Sequence, residues 1–99
     1  VSAEVIDLRC LRPLDTATVV NSVKKTNRCV TIEEGFPVCS IGSHISSVLM
    51  QEAFDYLDAP VSRIGAPFSP VPFSPALESH YIPDAKSIVK GVRDVMARR

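Results

Sequence analysis

A single α/β domain is the fold class this sequence predicts, three layers deep, with a mostly parallel sheet between helices. Three observations predict it. Short runs of β-formers alternate with segments of helical periodicity, in the order strand, helix, strand, helix, strand, helix. The chain has 99 residues, a size that suits one core. Hydrophobic residues make up 45% and charged residues 22%, a globular balance that excludes disorder and coiled coil.

The elements follow in order. Ala3 to Leu8 reads as a strand, because Val5, Ile6 and Leu8 are β-formers in a short apolar run. Pro13 disfavours helical geometry at Arg12, and Asp15 or Thr16 can cap a helix over Thr16 to Thr26. That helix buries Val19, Val20 and Val23 and turns Asn21, Lys24 and Lys25 outward, with Asn27 placed for a left-handed end. Cys29 to Ile32 is the second strand. Ile41, Ile45, Val48, Leu49 and Ala53 recur at helical spacing, so a second helix runs to about Glu52. Val61 to Ile64, opened by Asp58-Ala59-Pro60, is a short third strand. A last helix over Asp84 to Arg98 places Ala85, Ile88, Val89, Val92, Val95 and Met96 on one face, and its basic end suits the helix dipole.

Between Gly65 and Pro83 lie five of the eight prolines, with the repeat Pro67-Phe68-Ser69-Pro70 and Pro72-Phe73-Ser74-Pro75. Proline at this density argues against helix and strand alike and favours extended, stiff chain. Phe68 and Phe73 are placed either to anchor in a partner's groove or to fold back over the core.

Charge excludes one class of partner. Eleven basic residues cancel eleven acidic ones, and no basic run offers the footprint of a nucleic-acid binder. No apolar stretch approaches the roughly 18 residues of a membrane span. The opening VSAEVIDLR lacks the basic-then-apolar order of a signal peptide. Cys10, Cys29 and Cys39 form no CxxC, which argues against zinc or a redox pair and suits free, mostly buried thiols in a reducing compartment.

Three constellations carry possible chemistry. Glu33 and Glu34 end a strand, where α/β proteins place functional loops, but adjacent carboxylates there point apart. The Gly35 to Gly42 loop leads into a helix and can present amides to an anion, but it lacks the spacing of a phosphate loop, and the favoured reading is that its glycines allow a tight turn. Cys39 and His44 are the thiol and imidazole nearest in sequence, with no oxyanion-hole motif beside them. His80 has no neighbour that suggests a ligand set. None of these makes a convincing active site.

The stretches EVIDLRCLRPLD (Glu4 to Asp15), SVKKTNRCVTIEEGFP (Ser22 to Pro37), FDYLDAPVSRI (Phe54 to Ile64), VPF (Val71 to Phe73), Leu77-Glu78 and Ile82-Pro83 give the chain its resemblance. It resembles the C-terminal domain of the transketolase family, most narrowly that of the beta subunit in the decarboxylase component of 2-oxo acid dehydrogenase complexes. Pyruvate is the substrate this resemblance implies, with a branched-chain 2-oxo acid as the alternative. It also implies that residues 1–99 form one domain starting at the family's second strand, lacking its first strand and helix, within a longer subunit.

The resemblance implies a non-catalytic assembly role. Thiamine diphosphate and Mg in such enzymes sit between the alpha subunit and the N-terminal domain of the beta subunit, so no catalytic, cofactor or metal residue is expected here. The implied partners are a second beta subunit, the alpha subunit and the lipoyl-bearing dihydrolipoyl acyltransferase core. Asp58 matches a carboxylate near the subunit twofold that pairs with a cation on the acyltransferase, and the terminal carboxylate at Arg99 matches a second anchor more loosely. Read without the resemblance, Asp58 is a cap or turn residue before Pro60. The implied location is the mitochondrial matrix, or else the bacterial cytoplasm.

Several positions depart from the family. Ser40, Gly42, Ser43 and His44 stand where relatives have a glycine-rich run and a glutamate, and Ala66 and Phe68 replace a glycine and an aspartate. Two readings from other classes remain beside the first: a free-standing small-molecule binder using the Gly35 to Gly42 loop as an anion site, and a thiol enzyme using Cys39.

Overall fold

A computed structural model describes residues 1–98. Helix α1 (Thr16–Thr26) leads to strand β1 (Val30–Ile32), helix α2 (Ile41–Glu52), a 3₁₀ turn (Phe54–Tyr56), strand β2 (Ser62–Ile64), helix α3 (Pro75–Tyr81) and helix α4 (Ala85–Ala97). Both strands run parallel, with Val30 opposite Ser62, Thr31 opposite Arg63 and Ile32 opposite Ile64. Parallel pairing needs a crossover, and α2 supplies it.

The layers follow from which way the strand residues face. Thr31 and Arg63 share a face and meet the start of α2, Thr31 at Gly42 and Arg63 at Ser43. Ile64 points the other way, against Gly91 of α4. Helices therefore lie on both sides of the sheet, as the α/β reading expected.

Local chemistry sets the helix ends. Asp15 caps α1, its carboxylate accepting from the Thr18 amide at 3.2 Å and the Thr18 hydroxyl at 2.6 Å. Asn27 closes the helix in the left-handed conformation (φ 69°). Ser40 caps α2 by accepting from the Ser43 amide at 3.3 Å. Asp84 and Ser87 form a reciprocal capping box on α4.

The main core lies between α1 and α2, where Val19, Val20 and Val23 meet Ile45, Leu49 and Ala53. Leu49 is wholly inaccessible. Burying such a side chain contributes about 1.5–3 kcal/mol.

Four expectations are corrected. Ala3 to Leu8 forms no strand; Leu8 packs on the core while Val5 stays 89% exposed, and Glu4 ties the arm to α1 through Lys25 at 2.8 Å. The 65–83 segment is not free of regular structure. Pro75 stands at the first position of α3, where its missing N–H costs nothing, and no further proline interrupts the turn that follows. The thiols are not mostly buried, since Cys10 and Cys39 are exposed and Cys29 is half-buried. On α4 the apolar face is wider than the two-stranded sheet covers. Val95 is buried and Ile88 and Val92 are half-buried, whereas Ala85, Val89 and Met96 remain exposed.

Candidate functional site

Asp58 follows the 3₁₀ turn. Its amide donates to the Asn27 carbonyl at 2.9 Å, which fixes it beside the end of α1. Its Oδ2 lies 3.7 Å from Nη1 of Arg28, and the carboxylate is about half exposed. Arg28 is the residue that sequence reasoning missed. Its Nε donates to the Val95 carbonyl and its Nη2 to the Arg98 carbonyl, each at 3.3 Å. One guanidinium thus satisfies carbonyls at the end of α4 and faces Asp58 across the surface. No local signal marks this, because Val95 and Arg98 lie 67 and 70 residues away. Arg99, the other expected anchor, lies outside the described residues.

The remaining candidates are dispersed. Glu33 turns its carboxylate inward against Gly42, while Glu34 is exposed, so the two make no dyad. Thr31 Oγ1 and Glu33 Oε1 are buried without a hydrogen-bond partner among the described residues.

The Gly35 to Gly42 loop is tied to α2 and β2 through a carbonyl. The Pro37 carbonyl collects the Ser40 hydroxyl (2.9 Å), the Ser43 hydroxyl (2.8 Å) and Nη1 of Arg63 (2.8 Å). The Ser43 and His44 amides at the start of α2 are spent on Ser40.

Cys39 takes a positive φ of 56° at the end of this loop; it and His44 are both exposed, with no hydrogen bond between them. Burial pushes the Cys29 thiol up, away from the reactive thiolate. His80 is exposed in the last turn of α3. Among the described residues, no three His, Cys, Asp or Glu side chains come together as a metal site, and no helix is long and apolar enough to cross a membrane.

A second kind of feature is the apolar surface around the proline-rich segment. Tyr81 is buried, and its hydroxyl donates to the Ser69 carbonyl at 2.9 Å, which folds the segment back onto α3. Phe68 meets Phe36 edge to face with ring centroids 5.2 Å apart. Phe73 instead projects fully into solvent, with Val71 and Leu77 exposed near it in sequence. The two aromatics thus divide: Phe68 contacts its own chain and Phe73 is free. No Asp, Glu, Lys or Arg occurs from Gly65 to Leu77, so this surface is uncharged as well as apolar.

Comparison with known proteins gives this arrangement a context. The family model "Transketolase, C-terminal domain" matches residues 1–88. The chain is 47% identical over 98 residues to the mitochondrial pyruvate dehydrogenase E1 component subunit beta of Dictyostelium discoideum, covering 99% of this chain and 28% of that protein. Identity is also 47% over 98 residues to the counterpart in Saccharomyces cerevisiae, covering 98% of this chain and 27% of that one. It is 48% over 89 residues to the beta subunit of acetoin:2,6-dichlorophenolindophenol oxidoreductase of Bacillus subtilis, covering 90% and 26%. The chain spans about a quarter of the length of the relatives it matches.

Proposed function

The chain belongs to the transketolase C-terminal domain family, and from that premise we propose that it is an assembly domain of the beta subunit of a thiamine-dependent pyruvate dehydrogenase. The observation that carries this reading is the likeness to pyruvate dehydrogenase beta subunits along nearly the whole chain. Its role is to pair beta subunits, to meet the alpha subunit and to bind the dihydrolipoyl acyltransferase core. The reaction it serves is oxidative decarboxylation of pyruvate to acetyl-CoA, in the mitochondrial matrix.

The surface suits such a role. Uncharged apolar side chains at full exposure, such as Phe73, mark surfaces that other chains cover. Asp58 is the proposed contact to a cation of the acyltransferase, and the chain's terminal carboxylate at Arg99 the second. A charge pair desolvated at the centre of an interface contributes several kcal/mol, far more than an exposed pair.

Thiamine diphosphate and its Mg do not fit the residues described here. A diphosphate-bound Mg needs clustered oxygen donors, and among the described residues the adjacent Glu33 and Glu34 turn one inward and one outward while Asp58 lies on another segment. Those groups are assigned to the rest of the assembly, and no step of the chemistry is placed on this domain.

Two measurements test the reading. Mass spectrometry of the native assembly should find these peptides in a polypeptide several times longer, eluting with an alpha subunit and an acyltransferase. A free species of 10.8 kDa overturns it. Asp58→Ala should then weaken binding to the acyltransferase core by at least about tenfold, with decarboxylation to an artificial acceptor nearly unchanged. Equal loss of both removes Asp58 from the interface. The likeness to the acetoin oxidoreductase subunit favours a second reading, in which the assembled enzyme oxidises acetoin. Comparing turnover of pyruvate and acetoin by the same assembly decides between them.

A further inference from the structure

Arg63 stands on β2, across the sheet from Thr31, with its side chain exposed beside α2. Its guanidinium is held at one end only. Nη1 donates to the Pro37 carbonyl at 2.8 Å and to the Ser43 hydroxyl at 2.6 Å, and Ser43 passes its own proton to the same carbonyl at 2.8 Å. Both Nη1 hydrogens are therefore used inward, and the plane of the group is fixed.

The opposite edge is different. Nε–H and the adjacent Nη2–H form the parallel pair of donors that matches two oxygens of a carboxylate or phosphate. Among the described residues neither has an acceptor, and Arg63 is in none of the ion pairs. Arg63 lines an open depression together with Ser43, Ser46, Ser47, Met50 and Gln51. No acidic side chain lines it. Among the described residues the hydroxyls of Ser46 and Ser47, which line this depression, make no hydrogen bond, although serine on a helix often donates to a carbonyl of the preceding turn. A fixed cation, two unspent hydroxyls and an amide from Gln51 thus meet in one place without a carboxylate to neutralise them.

We propose that Arg63, with Ser46 and Ser47 of α2, forms a binding site for one oxyanion group, the carboxylate or phosphate of a small molecule. The guanidinium takes two oxygens through its Nε/Nη2 edge, and the serine hydroxyls donate to a further oxygen of a phosphate or to the second lone pair of a carboxylate oxygen. Exposed Met50 borders the depression and offers apolar contact to the body of an organic ligand. The site uses side chains of β2 and α2 and not the amides of the Gly35 to Gly42 loop, and it stands independently of the pyruvate dehydrogenase reading.

The test follows the Arg63 Nε–H resonance of the full chain by ¹⁵N NMR. Inorganic phosphate is added in one series and acetate in another, with chloride holding ionic strength constant. A saturating shift with either anion is expected, and the tighter of the two identifies the source as phosphate or carboxylate. Arg63→Gln should weaken binding, followed on the Ser46 and Ser47 amides, by at least about tenfold, the equivalent of one charge-assisted hydrogen bond. Arg93→Gln on exposed α4 should leave the constant unchanged. Shifts that rise linearly with both anions, or an equal constant in Arg63→Gln, overturn the proposal. Should Arg63→Gln fail to fold, the exposed-face double variant Ser46→Ala/Ser47→Ala decides: a severalfold weaker constant supports the site, and an unchanged one overturns it.

Discussion

Replacing Gly42 by alanine tests the closest approach between the sheet and α2. A Cβ at this position would lie 2.7 Å from Thr31 Oγ1 and 3.0 Å from Glu33 Oε1. The first distance is one that real Cβ atoms essentially never show, and both oxygens are already buried without partners. Relief requires α2 to lift from β1 or Thr31 to leave its preferred rotamer. Overpacking of this kind costs about 1–3 kcal/mol. Alanine recovers up to about 1 kcal/mol of helix propensity, and less here because Gly42 lies in the first turn. The expected net loss is about 1–2 kcal/mol, or roughly 4–16 °C in Tm for a chain of this length.

Urea unfolding of the parent, Gly42→Ala, Thr31→Ala and the double variant gives the coupling directly. Thr31→Ala removes the obstructing hydroxyl, whereas the Cβ it leaves is at an ordinary 3.4 Å. The double variant should therefore be more stable than the sum of the singles by about 1 kcal/mol. A Gly42→Ala variant as stable as the parent, or strictly additive losses, refutes the packing argument.

Another tight glycine, Gly91, behaves oppositely. A Cβ on Gly91 would meet the Cδ1 end of Ile64, a flexible group at a half-buried site, so Gly91→Ala should stay within about 1 kcal/mol of the parent by urea unfolding. Tyr81→Phe removes the hydroxyl that holds the Ser69 carbonyl, at an expected cost of about 0.5–1.5 kcal/mol and with faster proteolysis within the proline-rich segment; unchanged protection argues against that tether. The hydrogen bond from the Ser87 amide holds the Asp84 carboxyl below its ordinary 3.8, so its stabilising contribution is complete above that value and is lost as pH falls through the lower folded-state value. An acid titration of helical signal should therefore fall less steeply for Asp84→Asn than for the parent, and parallel curves refute the linkage.

Helices α1, α2 and α4 were legible because their information is local. Asp15 and Asn27 announce the ends of α1, and the apolar spacing within α1 and α2 selects the faces that meet in the core. The strands were legible less evenly. Val30–Ile32 and Ser62–Ile64 pair with each other, whereas Val5 and Ile6 have the same β-forming chemistry and no ladder. β-propensity describes a fit to a neighbouring strand, and composition alone does not supply the neighbour. For the same reason proline density was a poor guide to α3. What mattered was that Pro75 stands at its first position, not how many prolines precede it.

Charge was read from the sequence as a sum, and its zero total hid two arginines with different work. Arg28 spends its donors on its own chain, and Arg63 keeps a fork free. Neither assignment follows from neighbours in sequence, because the acceptors of Arg28 lie 67 and 70 residues away and those of Arg63 lie 26 and 20. The placement of Arg28 also bears on the proposed role of Asp58. Its contact with Asp58 uses Oδ2 at a loose 3.7 Å and leaves Oδ1 without a partner among the described residues. Arg28 itself is fixed by two carbonyls at the end of α4 and is only a quarter exposed. A carboxylate held toward such an anchor has already lost part of its rotational freedom, which lowers the entropic cost of meeting a partner's cation through Oδ1. A partner's cation therefore need not displace Arg28; it would share the carboxylate with it, and Arg28→Gln should weaken core binding less than Asp58→Ala does.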